Sequence, residues 1–440
     1  MTAHIRARIS LPPAGSLHLG SARLALLNWL LARHGGGQVL LRLADPAAPA
    51  GRNEAGDAAE DLTWLGLDWD DVIRPAERLA RYGEAAEALK RAGRLYPCLE
   101  SETELRAKRD WRVRRGKSPV YDRAMLKLTP DQLAAAEAGG KRPYWRFRLS
   151  GDAVAWTDRV LGRTEVKLAS ISDPVAVQAD GTPLPVFATA VDDLDFGVTG
   201  IVRGADNVGG SGVHLDLLAA LGGGTAIRLA HVPQLRVEDA RFEGLTVRRL
   251  RGDGVRPVAL TAHLAAVGSG RAAELREPLD LAATFDLAGY GGAPPVFDIG
   301  QLQALNRRAL LACDFASVAT RLPPGATEAF WLAVRGSFDL LGEAAGWWDV
   351  VAGSIVPPVI EGEAMFLRAA LALLPAEPWT CEVWAVWSRA LQGATGRGPE
   401  AAAGPLRLAL TGEDHGPELS ALLPLIGRAR AAQRLQLAAA

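Results

Sequence analysis

A strand, a glycine-bounded turn, a long apolar helix and a second apolar strand open this chain, and that order leaves few folds available. Residues 4–10, HIRARIS, alternate apolar and polar as a strand does. LPPAG then turns the chain. Residues 21–34, SARLALLNWLLARH, are strongly helix-forming and apolar on most sides, as a helix laid on a sheet must be. QVLLRLA follows and is apolar enough to lie buried in a parallel sheet. Together these pieces predict a βαβ unit and an α/β, Rossmann-like domain.

The turn before the helix reads GSLHLGSAR (15–23). In a βαβ unit the first helix N-terminus offers unpaired N–H groups and a positive dipole end to an anion. Gly15 and Gly20 permit close backbone approach and unusual turns. His18 between them could donate a hydrogen bond to phosphate oxygens as charge builds in a transition state. By itself the turn does not separate a phosphate site from a tight turn with an incidental histidine.

The rest of the chain suggests an insertion and a helical end. Residues 76–180 interrupt the α/β pattern with two helical stretches, LYPCLE and the strand-like PYWRFRLS. VTGIVRG (198–204) suits a second buried strand, with a helix near 207–221. Beyond about residue 250 the patterns are almost all helical. The expected organisation is therefore a Rossmann-like domain from 1–75 and 181–250, an inserted α+β region over 76–180, a helical region over 251–324 and a helical domain over 325–440. Trp331, Trp347, Trp348, Trp379, Trp384 and Trp387 read as core of the last region, with a platform for stacked bases as the alternative. The Ala/Gly/Pro-rich stretch 394–405 reads as a mobile loop, and Asp192 and Asp193 as structural polar groups at a strand end.

Charge does not decide the partner. The formal net charge is −1, but a local basic stripe suffices for nucleic acid. Basic residues are nearly all arginine, and no lysine follows Lys167. Cys98, Cys313 and Cys381 are far apart and odd in number, which reads as reduced thiols in a cytosolic protein, with no metal-ligand spacing and no zinc site. No run of about 18 uncharged apolar residues is present, so no membrane span is expected.

GSLHLGSARLALLNWLLARHGGGQVLLRL resembles the opening of glutamate–tRNA ligases, class I aminoacyl-tRNA synthetases with a His-x-Gly first motif. The resemblance continues in order through DLTWLGLDWDD, LYPCLES, YDRAMLKLT, PYWRFRL, VDDLDFGVTGIVRGADN and LTGEDHGPELSALLPLIG (410–427). It implies ATP, with Mg2+, as cofactor, and glutamate and a glutamate-type tRNA as partners of a monomeric cytoplasmic enzyme. Carried over position by position, His18 and Gly20 match the phosphate-contacting catalytic motif. Arg8 matches an arginine that pairs with the substrate carboxylate, and Arg203 and Gly204 an element near the substrate. Asp206 matches an acidic position near the nucleotide. The alternative for Arg8 is an ordinary surface strand end, and Asp206 could equally cap the following helix.

Departures from the family cluster at the same site. Pro12 stands at a serine position, Ala44 replaces the acid that would hold the ammonium group, and Pro185 lies where a tyrosine lines the amino-acid pocket. The family's second signature, a Lys-Leu-Ser-Lys-Arg loop after a His-x-Pro strand, is shortened here. HVPQL (231–235) runs into RVEDARFEGLTVRRLRGDG without a lysine. Arg241, Arg248 or Arg249 are the possible replacements. The expectation is a glutamate–tRNA ligase-type protein with slow activation. A non-catalytic paralogue binding tRNA, nucleotide or another synthetase, and a ligase for a different amino acid, are the alternatives.

Overall fold

The computed structural model describes residues 4–11, 15–43, 56–223, 227–238 and 244–440. The chain forms two compact units, Met1–Arg249 with Thr261–Asp298, and Leu250–Leu260 with Ile299–Ala440.

The first unit runs β1 (Arg6–Ser10), α1 (Leu19–His34), β2 (Gln38–Arg42), α2 (Gly56–Trp64), β3 (Asp71–Ile73), α3 (Leu79–Arg91) and β4 (Leu95–Cys98). Next come α4 (Glu102–Arg114), α5 (Pro130–Ala138), β5 (Tyr144–Phe147), the hairpin β6 (Ala153–Asp158) and β7 (Gly162–Lys167), and β8 (Val175–Val177). Then follow α6 (Pro185–Asp195), β9 (Gly200–Gly204), α7 (Val208–Ala220), β10 (Arg228–Val232) and the first residues of α8 (Val247–Asp253), which continues into the second unit from Leu250. The opening βαβ unit is present: β1 and β2 pair in parallel with α1 between them. Five parallel strands make the main sheet in the order β10-β9-β1-β2-β3. Leu26, Leu27, Leu30 and Trp29 of α1 are buried, as its nearly uniform apolar surface requires.

Within 76–180, β4, β5 and β8 form a separate antiparallel sheet, and β6 and β7 form their hairpin. Phe147, Leu168, Phe187 and Leu217 share one core with α3 residues Tyr82 and Leu89. Helix α4 buries none of its residues, and a Ser101–Glu104 capping box starts it. Cys98 is buried, with Sγ 3.9 Å from the Tyr121 hydroxyl, and burial pushes its thiol up to about 11.

The second unit is helical. Trp331, Trp347 and Trp387 are buried in its core, and Trp348, Trp379 and Trp384 pack partly buried against it. Indole N–H groups are satisfied inside it: Trp331 donates to the Cys313 carbonyl at 3.1 Å and Trp387 to the Ala370 carbonyl at 3.1 Å. The stretch 394–405 is not a loop throughout. A helix begins at Pro399 and runs to Thr411, with Ala402, Leu406 and Leu410 buried. Proline suits the first helical turn, and alanine has the highest helix propensity, which outweighs the Gly/Pro punctuation. Among the described residues, no helix is long and apolar enough to cross a membrane.

Candidate active site

The main sheet grows from β1 in both directions, to β2 and β3 on one side and to β9 and β10 on the other. Such a switch point opens a crevice beyond the carboxyl ends of the strands. A cavity of about 420 Å³ lies there. Arg8 and Ser10 of β1, Arg203 and Gly204 of β9, and Leu17 and Ser21 at the start of α1 line it. Pro185 and Thr189 of α6, Asn207 just before α7 and His214 within α7 also line it.

Arg8 and Arg203, singled out from the sequence, meet in this cavity but differ in how their charges are paired. Arg8 is buried, and its Nε donates to Asp193 Oδ1 at 2.6 Å and its Nη2 to Asp193 Oδ2 at 3.2 Å. It also contacts the Ser10 hydroxyl. His214 Nε2 lies 3.0 Å from the same carboxylate. Burial works against the Asp193 charge, but Arg8 and then His214 outweigh it and hold the carboxyl below the usual carboxylate range. Burial lowers the pKa of His214 against the pull of Asp193, so this ring is neutral at pH 7. Arg203, half-buried, donates from Nη1 to Ser211 Oγ at 3.1 Å and makes no ion pair among the described residues. Burial, and then the neighbouring Arg8, pull its pKa down to about 10, which leaves it charged at neutral pH.

Asp192 and Asp193 sit on α6, not at a strand end. The apolar run that follows them is the strand, and the FATAVDDLD segment before it is helical because its apolar residues recur at helical spacing. Adjacent on the helix, they point to different partners. Asp193 takes Arg8, whereas Asp192 takes Arg42 at 2.8 Å, Arg78 at 2.7 Å and the Tyr82 hydroxyl at 2.9 Å. Both are structural ion-pair centres. Pro185 occupies the first turn of α6, where proline is well tolerated.

The turn of residues 15–20 forms the rim. Gly15 has φ +86, a left-handed conformation that favours glycine. Gly20 uses no such conformation: it lies within α1, and an added Cβ would meet only His18 Nδ1, at 3.7 Å. Its lack of a side chain leaves the helix N-terminus uncovered. His18 is the exposed N-cap of α1 and accepts the Gly20 N–H on Nδ1 at 3.3 Å. In a neutral ring that bond puts the proton on Nε2, which is then a donor. Asp61 holds the turn from α2, accepting from Ser16 Oγ at 2.6 Å and Leu17 N at 2.8 Å.

Asp206 is exposed in the short turn Ala205–Asn207 before α7 and provides no side-chain cap. It folds back on the cavity lip, where a Cβ on Gly204 would come within 2.4 Å of Asp206 Oδ1. The segment after β10 returns to the turn: Leu19 N donates to the Leu245 carbonyl at 3.2 Å and Val247 N to the Leu17 carbonyl at 2.9 Å. Arg248 N donates to Ser16 Oγ at 3.2 Å, and its guanidinium pairs with Asp57 at 2.6 Å. Arg249 N donates to Thr246 Oγ1 at 3.3 Å. Pro12, Ala44 and Arg241 lie outside the described residues.

Several positions that shape the site escape a reading of the sequence. Asn28 of α1 exchanges hydrogen bonds with the backbone of Val202 at 2.8 and 2.9 Å and so fastens α1 to β9. Its signal was present: a lone asparagine inside LALLNWLL is a polar group that must find a buried partner. Ser211, His231 and Asp158 carry no comparable signal, because they come from three distant segments.

A doubly wound parallel sheet with a cationic cavity at its switch point and a helix N-terminus on the rim defines a nucleotide-binding α/β protein. Residues 4–240 match the family of tRNA synthetases class I (E and Q), catalytic domain, and residues 360–439 match an anticodon binding domain. Glutamate–tRNA ligase 2 of Granulibacter bethesdensis is 52% identical over 440 residues, covering 98% of each chain. Glutamate–tRNA ligase 2 of Acidiphilium cryptum is 51% identical over 442 residues, covering 99% of this chain and 100% of its own. A crystal structure of a glutamate tRNA ligase from Elizabethkingia meningosepticum superimposes with a TM-score of 0.84 over 99% of both chains, at 21% identity, a likeness of fold. The chain belongs to the glutamate–tRNA ligase family of class I tRNA synthetases.

Proposed function

We propose that the chain activates glutamate with ATP and attaches it to a glutamate-type tRNA, slowly, as a monomer in the cytoplasm. The observation that carries this reading is the cavity at the strand switch point. It joins Arg203, an arginine with no ion pair among the described residues, to the N-terminal end of α1. A carboxylate at Arg203 and a polyphosphate at the α1 terminus would lie side by side, as attack on an α-phosphorus requires.

The residues at the rim fit a nucleotide. The uncovered helix end, the His18 Nε2 donor and the small Ser21 suit phosphate, and Asp206 on the lip suits a ribose hydroxyl or Mg2+. ATP, with Mg2+, supplies the activated phosphoryl group. The protein's part is to hold the carboxylate at Arg203, with Arg8 fixed beside it by Asp193, and to donate from His18 to the phosphates. Of the described candidates, Arg248 is the better-placed replacement for the missing loop lysine, since its backbone is bonded to the turn and its exposed pair with Asp57 is weak.

His18→Ala is expected to weaken ATP binding about tenfold or more without unfolding the chain, because the ring is exposed and only one backbone N–H depends on it. Calorimetry with tRNA present checks this; ATP affinity equal to the parent would contradict it. Free glutamate is expected to bind worse than micromolar, because position 44 lacks the acid for its ammonium group and Pro185 contributes no aromatic or hydroxyl to the wall. Ala44→Glu should tighten it, and micromolar affinity in the parent chain would show that other residues have taken over. Amino-acid-dependent ATP–pyrophosphate exchange over all twenty amino acids, with and without tRNA, tests the reading as a whole. Exchange with an amino acid other than glutamate would reassign the substrate, and no exchange at all would point to the non-catalytic alternative.

A further inference from the structure

We propose that Ser211, His231 and Asp158 form a buried hydrogen-bond chain that orients the Arg203 guanidinium for the substrate carboxylate, making them positioning residues of the site. This rests on reading the cavity as the amino-acid site.

Donor and acceptor counting leaves each link one direction. A guanidinium only donates, so Ser211 Oγ accepts from Arg203 Nη1 at 3.1 Å. The hydroxyl proton of Ser211 then goes to its one other partner among the described residues, His231 Nε2, at 2.8 Å. An accepting Nε2 requires the proton on Nδ1, which donates to Asp158 Oδ2 at 2.6 Å. Ser211 and His231 are each 0% exposed and Asp158 2%, so water cannot substitute for any member. Burial opposes the Asp158 charge. The His231 bond, and then the backbone N–H groups of Leu161, Val160 and His231, hold the carboxyl well below the usual carboxylate range.

Three separate elements are needed to build this chain. Arg203 and His231 are direct partners in the register of β9 and β10, so their side chains leave the sheet on one face. Helix α7 brings Ser211 over that face, and the hairpin of β6 and β7 closes it with Asp158. A serine inside a helix ordinarily bonds its own backbone. Here its hydroxyl joins two side chains instead.

The contrast with Arg8 shows what such a chain accomplishes. Asp193 fixes Arg8 with a carboxylate and cancels its charge. A neutral hydroxyl fixes Arg203, and the only carboxylate among the described residues whose charge it feels, Asp193, is already paired with Arg8. Arg203 is thus restrained, against the rotamer freedom of a long side chain, while its charge stays available to a ligand.

The test uses the full chain, a non-hydrolysable glutamyl-adenylate analogue and ATP, measured by calorimetry. Ser211→Ala should weaken the analogue about tenfold, as loss of one hydrogen bond to a charged group does, and leave ATP affinity nearly unchanged. It should lower the melting temperature equally in the presence and absence of Arg203, because the buried His231 Nε2 loses its partner in both. In an Arg203→Ala background the same change should weaken the analogue no further, because the group it orients is gone. His231→Gln, whose amide oxygen can still accept from Ser211, should lose less than Ser211→Ala. Equal losses of analogue affinity in both backgrounds, or none in either, would overturn the proposal and leave the site reading intact. Failure of the parent chain to bind the analogue would overturn the reading and the proposal together.

Discussion

Glutamate activation by this chain is expected to run at least about 100-fold slower than in a relative with a complete second signature. Losing one preorganised contact to a charge that develops in the transition state typically costs on the order of 10²–10³ in rate. The family's loop brings a mobile lysine to the phosphates, and no lysine follows Lys167 here. Of the two described arginine replacements, Arg248 is bonded to the turn by its backbone, yet its guanidinium is turned to Asp57 of α2. That pair is exposed and easily exchanged, so what limits Arg248 is reach and aim rather than binding to Asp57. Its backbone is held by Ser16, and a side chain anchored at the start of α8 cannot close over a ligand as a loop does. Grafting a Lys-Leu-Ser-Lys-Arg loop between Phe242, outside the described residues, and Leu245 should recover part of the rate. Combined with Ala44→Glu it should recover more. Arg248→Ala should lower the remaining rate further if Arg248 is the replacement and leave it unchanged if it is not. Aminoacylation by the parent chain at several per second would show that arginine does the lysine's work.

Local patterns carried the fold. The alternation in HIRARIS, the apolar α1 and the apolar QVLLRLA are each short-range signals, and each became the element it suggested. The resemblance extended that frame along the chain, and the family match and the parallel sheet agree with it. Errors arose where two local signals competed. Alanine overruled glycine and proline at 399–411, and helical spacing overruled the following apolar run at Asp192 and Asp193. The site was legible only in part, because a sequence shows which charges exist and not which of them cancel. Arg8 and Arg203 look equivalent in RARIS and VRGAD. Only the fold reveals that α6 supplies a carboxylate to the first and that α7 supplies a hydroxyl to the second. The chain from Ser211 through His231 to Asp158 spans 73 residues between its last two members, and nothing local marks it.

Asp193→Ala is expected to destabilise the first compact unit by about 3–5 kcal/mol, the usual cost of removing one partner from a buried ion pair. The carboxylate is fully buried and serves Arg8 through both oxygens while touching His214. Without it, Arg8 keeps a buried charge whose remaining polar contact is the Ser10 hydroxyl. Most of the loss is therefore the cost of the orphaned arginine, and a second change should reveal this. Arg8→Met in the Asp193→Ala background should restore a large part of the stability, so the two losses will not add. The pH dependence has a definite sign. The folded carboxyl of Asp193 lies below its unfolded value near 4. Its contribution is thus complete above that unfolded value and disappears as pH falls through the folded one. Between neutral pH and the acid range the parent chain should lose urea resistance more steeply than Asp193→Ala, and the two curves should converge at the acid end. Parallel curves, or a loss under 1 kcal/mol at pH 7, would mean that water reaches Arg8 and that the cavity wall is less dry than its burial indicates.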